Sequence, residues 1–249
     1  MEYLGIDVHS KYSELCGLSD DGTVTVRRRI PTTETGLRRF FGSRPQAKVT
    51  LESGPVTPWV YRLLCELGHD VVVVNPRRVR LIAESTLKTD GIDAEVLARL
   101  SRLDLDLLRP VYQRTPEAQE LRTRLRVRAS LVKTRTSLIN AVRGTVRAQG
   151  YRVPSCPAKS FVVPFASLDL NPSLAQAIEP LVTTIGELTD RINDLEKGLV
   201  AESKSNDLLI RLQSVPGVGP IVSLAYVGWM DTPDRFTKSR DVGPCLGLR

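Results

Sequence analysis

Histidine is almost missing from this chain of 249 residues: His9 and His69 are the whole supply. A zinc site built on imidazole is therefore not expected. Cysteine is sparse as well. Cys16, Cys65, Cys156 and Cys245 lie far apart and form no C-x-x-C, so neither a thiolate metal site nor a disulfide framework is expected. They read as reduced thiols, mostly in core positions, of a cytoplasmic protein. No stretch approaches the roughly 18 uncharged apolar residues of a membrane span. The start, Met1-Glu2-Tyr3-Leu4-Gly5, has neither the basic nor the apolar region of a secretory leader.

What the chain does have is positive charge. Thirty-five Lys and Arg stand against 28 Asp and Glu, giving a net charge of +7 and a pI near 9.4. That balance favours a polyanionic partner, nucleic acid before an anionic membrane. Apolar content of 41% and charged content of 25% are those of a globular protein with an ample core.

The pattern of residues 1–110 predicts alternating strands and helices. Strands are expected over 3–8, 13–18, 23–30, 48–51 and 70–74, with Asp20-Asp21-Gly22 as a hairpin turn between the second and third. Helices are expected from Thr32-Thr33-Glu34 through Phe41, over 58–67, over 79–83 and over 91–103. Three strands in a meander followed by alternating helices and strands is the element order of the ribonuclease H-like fold. The expected fold class is therefore α/β for this N-terminal domain, with α structure after it.

Four carboxylates stand at telling places in that order. Asp7 closes the first apolar run, Glu52 closes the fourth strand, and Asp90 and Asp93 open the last helix within Lys88-Thr89-Asp90-Gly91-Ile92-Asp93. Three residues apart, Asp90 and Asp93 share a helical face. Acids gathered from two strand ends and one helix start repel one another unless cations lie between them. Hard oxygen donors at an open site suit Mg²⁺ or Mn²⁺, and a pair of such ions is an apparatus for cutting and joining phosphodiesters.

The rest of the chain divides into a basic helix (111–152), a connector with a heptad segment (153–205) and a final segment (206–249). In the first, Leu121, Leu125, Val132, Ile139, Val142 and Val146 recur at helical spacing, with Arg122, Arg126, Lys133 and Arg147 on an adjoining face. One-signed charge on a helix fits phosphate-backbone contacts; a solvated face is the plainer alternative. Pro154, Pro157, Pro164 and Pro172 mark an extended linker. Leu174, Ile178, Leu181, Ile185, Leu188, Ile192, Leu195 and Leu199 follow a strict 4-3 alternation. Such a seam predicts a coiled coil, either between chains as a homodimer or higher even oligomer, or within the chain as an antiparallel hairpin with the basic helix. Pro180 is expected to start or kink that helix. Finally, Val215-Pro216-Gly217-Val218-Gly219-Pro220 between two helices predicts a helix-hairpin-helix, with the amides at Gly217 and Gly219 available to a DNA phosphate.

Three stretches carry a family resemblance: Gly5-Ile6-Asp7-Val8-His9, Leu51-Glu52-Ser53-Gly54 and Lys88-Thr89-Asp90-Gly91-Ile92-Asp93-Ala94. They resemble the three acidic motifs of the insertion-sequence "one-ten" transposases, relatives of the Piv-type DNA invertases. Val215-Pro216-Gly217-Val218-Gly219 and the Arg235-Phe236 to Leu246-Gly247-Leu248 stretch resemble the start of that family's C-terminal domain. The resemblance implies a RuvC-like catalytic domain in which Asp7, Glu52, Asp90 and Asp93 hold Mg²⁺ or Mn²⁺, with Lys88 near the phosphate. It implies cut-and-rejoin recombination of donor and target DNA, guided by a structured noncoding (bridge) RNA, in a cytoplasmic, nucleoid-associated enzyme. The family's catalytic serine lies further on than the Gly-Leu-x-Pro region, so the sequence reads as a fragment or a truncated form. Two other functions fit the same residues: a nucleic-acid-binding regulator without catalysis, and a resolvase-type metal-dependent nuclease acting on branched DNA.

Overall fold

The computed structural model describes residues 1–77, 90–103 and 110–248, with backbone alone for residues 90–92. It forms two units, Met1–Gln113 and Arg114–Arg249.

In the first unit, β1 (Glu2–Val8), β2 (Tyr12–Leu18) and β3 (Val24–Pro31) form an antiparallel meander. After α1 (Glu34–Phe41), β4 (Ala47–Glu52) returns parallel to β1; after α2 (Thr57–Glu66), β5 (Asp70–Val74) adds parallel to β4. The sheet order is β3-β2-β1-β4-β5, and α3 (Asp90–Leu103) follows. This is the mixed α/β arrangement expected of a ribonuclease H-like domain. The predicted helix over 79–83 lies outside the described residues.

Side-chain alternation along each strand divides the core into two layers. Leu4, Ile6, Leu15, Val49, Leu51 and Val73 pack with Leu37, Phe40 and Phe41 of α1 and with Val60, Leu63 and Leu64 of α2. On the opposite face, Cys16 and Leu18 meet Ala94 and Ala98 of α3, and Val74 meets Leu97. Gly5 lets α3 approach: a Cβ there would lie 2.0 Å from the Ala94 carbonyl oxygen and 2.6 Å from the Ala98 nitrogen. His69 is a structural core histidine. Its Nδ1 accepts from the Ala47 amide at 3.2 Å, which leaves Nε2 to donate to the Phe41 carbonyl at 3.2 Å. All four cysteines are free thiols, but the expected core placement applies only to Cys16; Cys65 and Cys245 are exposed and Cys156 is half-buried.

The second unit is helical. The basic stretch forms α4 (Pro116–Ala148), capped by Thr115, whose hydroxyl accepts from the Ala118 amide. Pro116 occupies the first turn, where its missing N–H costs nothing. Residues 151–171, expected as a linker, instead pack: Val153, Phe161 and Phe165 are buried against Ile139, Val142 and Val146, with a short helix α5 (Val162–Ala166) among them. Four prolines suggested an extended chain, but the two phenylalanines and the valine supply enough apolar area to hold it down.

α6 (Pro172–Lys204) starts at Asn171 and runs through Pro180. Its heptad seam takes the second of the two expected arrangements within the chain, the antiparallel hairpin with the basic helix. Ile178, Ile185, Ile192 and Leu199 are buried within the chain, against α4 and its neighbours. Polar links set the antiparallel register: Arg124 to Glu202 at 2.7 Å, Arg128 to Glu196 at 2.6 Å, and Arg135 to Thr189 at 3.3 Å. Within the chain the antiparallel hairpin buries these four seam positions, while Leu174, Leu181, Leu188 and Leu195 are half-buried. An Ile/Leu seam satisfies either arrangement, and a long basic partner helix on the same chain is available at far higher effective concentration. α7 (Asp207–Gln213) and α8 (Pro220–Met230) then close the far end of the hairpin, with Leu209 and Leu224 buried against Leu121 and Leu199. A short helix α9 (Val242–Cys245) ends the described chain.

Candidate active site and nucleic-acid surfaces

Strand parity brings the first two acids together. Leu4 and Ile6 face α1 and α2, so Asp7 shares the α3 face with Gly5; Leu51 faces α1 and α2, so Glu52 shares the α3 face with Thr50. Ile6 pairs with Leu51 in the parallel register, and Asp7 and Glu52 follow one residue further on, on adjacent strands.

The direction of α3 turns its first turn toward the same edge. Its last turn lies at the end of the sheet where β1 begins, because Arg102 donates to the Asp20 carbonyl at 3.0 Å in the β2–β3 hairpin and Leu18 of β2 pairs with Tyr3. Ala94 crosses β1 at Gly5. The first turn of α3, with Asp90 and Asp93, therefore points toward the edge where β1 and β4 end. Glu95 ties α3 to the sheet through its ion pair with Arg27 of β3, and pairs within α3 with Arg99, one turn on, at 2.6 Å. The Arg99 hydrogen bonds, then the charge of Arg27, hold the Glu95 carboxyl below the usual carboxylate range.

Asp93 is half-buried, while the side chain of Asp90 and all of Lys88 lie outside the described residues. Among the described residues, no three His, Cys, Asp or Glu side chains form a metal-holding group. The Glu52 backbone is anchored by Thr57, whose hydroxyl donates to the Glu52 carbonyl at 2.7 Å and accepts from the Gly54 amide at 2.9 Å.

One residue at this edge was not anticipated as part of the site. His9 Nε2 lies 3.0 Å from Oδ2 of Asp7. The signal was present in Asp7-Val8-His9, since residues two apart on an extended chain share a face.

The basic helix α4 sorts its cations into two sets. Arg124, Arg128 and Arg135 turn inward to α6; the Glu202 carboxylate raises the pKa of Arg124 above its ordinary value. Arg126, Lys133 and Arg147, all expected as nucleic-acid contacts, are exposed. Arg122 is half-buried over Gly228, and burial, then the nearby Arg114 and Arg126, lower its pKa. Arg114 was not anticipated in this group. In the turn between α7 and α8, Gly217 takes φ +86°, and a Cβ at Gly217 or Gly219 would meet open space. Among the described residues no helix is long and apolar enough to cross a membrane.

A mixed five-stranded sheet carrying acids at the ends of two adjacent parallel strands, with a helix start aimed at the same edge, defines a ribonuclease H-like α/β domain. Residues 4–149 match the profile of the DEDD transposases of the IS110 type, and the chain belongs to that transposase family. Similar relatives carry the same description. The transposase for insertion sequence element IS1111A of Coxiella burnetii is 28% identical over 256 residues, covering 100% of this chain and 68% of the relative. That for IS1328 of Yersinia enterocolitica is 26% identical, covering 98% and 72%. A probable family 20 transposase of Pseudomonas aeruginosa is 26% identical, covering 98% and 73%. A Thermus thermophilus RuvC structure superposes over 45% of this chain and 100% of its own, at 15% identity and a TM-score of 0.32. The family assignment rests on the sequence matches rather than on that superposition.

Proposed function

We propose that the chain cuts and rejoins DNA as an insertion-sequence transposase, with Asp7, Glu52, Asp90 and Asp93 as the ligands of Mg²⁺ or Mn²⁺. The observation that carries this reading is the shared edge: Asp7 and Glu52 end adjacent parallel strands on the face that α3 covers, and the helix start bearing Asp90 and Asp93 is directed there. The donor set fits such ions, being four carboxylates, hard oxygen donors. Held there by Asp7, Glu52, Asp90 and Asp93, such ions would supply polarisation of the scissile phosphate and stabilisation of charge in the transition state.

The chain's own residues supply the rest. Carboxylates gathered at one edge would repel one another, so that such a site would take up cations. The exposed Arg126, Lys133 and Arg147, with Arg122 beside them, bind the phosphate backbone of donor and target DNA, and the amides at Gly217 and Gly219 take a further phosphate. On the same reading Lys88, two residues before Asp90 in the sequence, is assigned to the phosphate. Backbone contacts of this kind carry no sequence information. A guide RNA paired to DNA would supply the choice of site, as the family resemblance implies. The outward basic face of α4 also supports a second reading, a nucleic-acid-binding regulator without chemistry.

Element excision in cells and Mn²⁺-dependent nicking of supercoiled DNA by the purified chain test the proposal. The parent is expected to nick and Asp7→Asn to lose nicking and excision together. Undiminished excision by Asp7→Asn ends the catalytic reading. Salt-dependent binding without nicking under Mg²⁺ or Mn²⁺ favours the regulator.

A further inference from the structure

His9 stands at the end of a continuous series of contacts that begins two strands away. Glu14 lies opposite Asp7 in the β1–β2 register, and Arg29 lies opposite Glu14 in the β2–β3 register. Arg29 Nε donates to Glu14 Oε1 at 2.5 Å, and its guanidinium carbon lies 4.3 Å over the Tyr12 ring. The Tyr12 ring is 4.9 Å from the His9 ring, and the His9 amide donates to the Tyr12 carbonyl at 3.0 Å. His9 Nε2 then reaches Asp7 Oδ2 at 3.0 Å.

Each contact limits the next. The ion pair neutralises Glu14, a carboxylate on the same face as Asp7, and fixes the guanidinium. The guanidinium holds the Tyr12 ring in place, and that ring supports the imidazole. The backbone bond between His9 and Tyr12 fixes where the imidazole starts. An aspartate at a strand end otherwise has two free torsions and presents either oxygen to solvent. Carboxylates that ligate metals are themselves held by hydrogen bonds, and losing the holding group weakens metal binding by about 10- to 100-fold.

We infer that His9 is a positioning residue for Asp7: its imidazole, 3.0 Å from Oδ2, restrains the carboxylate at the edge shared by Glu52 and the start of α3, with Tyr12 and Arg29 as its support. This inference rests on the metal-binding reading proposed above and adds to it a residue outside the carboxylate set.

Mn²⁺ binding by the 249-residue chain, measured by calorimetry beside the urea unfolding midpoint, tests it. Asp7→Asn is expected to abolish binding at the site. His9→Ala is expected to weaken it by about 10- to 100-fold with little change in the midpoint. His9→Gln, which keeps an N–H at a similar reach, is expected to restore most of the affinity. If Asp7→Asn abolishes binding while His9→Ala binds as tightly as the parent, the positioning role is wrong and the metal site stands. If Asp7→Asn binds as tightly as the parent, the metal-site reading fails and this inference fails with it. Should His9→Ala also lower the midpoint, His9→Gln decides. Restored stability with affinity as weak as that of His9→Ala overturns the inference.

Discussion

The carbonyl oxygen of Ala94 lies 2.0 Å from the point where a Cβ on Gly5 would sit. Backbone atoms of a docked helix cannot swing aside as a side chain can, so Gly5 sets how closely α3 approaches β1. Gly5→Ala is expected to cost about 3 kcal/mol through overpacking and to push α3 outward. Because α3 carries Asp90 and Asp93, the same change should weaken Mn²⁺ binding. Urea unfolding and calorimetry check both effects. A stable Gly5→Ala variant with unchanged binding would show that α3 does not sit on β1 as described.

The two sets of α4 cations predict two phenotypes. Arg126→Ala, Lys133→Ala and Arg147→Ala should each weaken DNA binding across all sequences and lower the salt slope by about one, without moving the unfolding midpoint. Arg124→Ala and Arg128→Ala should do the reverse. Each loses a partly exposed ion pair with α6, at 2.7 and 2.6 Å, for a stability cost below about 1 kcal/mol. Fluorescence anisotropy over a salt series, beside denaturant melts, separates the two. Equal salt slopes for both sets would remove α4 from the DNA surface.

Much of the first unit was legible in the sequence because strand alternation is a local signal. Asp7 and Glu52 each follow a short apolar run, and run length alone places both acids at strand ends. The approach of α3 was half legible, since Gly5 announces a close contact but not with which element. The pairing of α6 was not legible. Ile178, Ile185 and Ile192 ask only for an apolar partner, and a 4-3 repeat does not say whose chain provides it. Phe161 and Phe165 lie among prolines, where periodicity fails as a signal, so their burial had to come from tertiary packing. His9 was weighed only as a zinc ligand, which hid its place beside Asp7.

Arg135 lies inside the α4–α6 hairpin, nearly buried, with one hydrogen bond to Thr189 at 3.3 Å and its Nε without a partner. A buried cation held so thinly costs stability, as polar seam positions do when they fix register. Arg135→Met should fill the same space and raise stability by roughly 1 kcal/mol. A shift of the urea midpoint to higher concentration at unchanged slope is the expected result. A fall in the midpoint would mean that the guanidinium contributes more than its contacts indicate.

Asp231 is the one non-glycine residue with positive φ among the described residues, at φ 57° and ψ −102°. Its carboxylate explains why the strain is tolerated. Oδ2 accepts from the Thr115 amide at 2.8 Å and Oδ1 from the Thr115 hydroxyl at 2.7 Å, tying the end of α8 to the residue that caps α4. Hydrogen bonds to a charged group contribute about 1.5 to 3 kcal/mol each, against a backbone cost of about 1 to 3 kcal/mol. Three variants separate these terms. Asp231→Asn keeps one acceptor and should lose least. Asp231→Gly loses the bonds but relieves the backbone and should lose more. Asp231→Ala loses the bonds, keeps the strain and should lose most, about 3 kcal/mol. Urea unfolding of the three gives the order, and a glycine variant less stable than the alanine variant would show that the backbone at Asp231 is not strained.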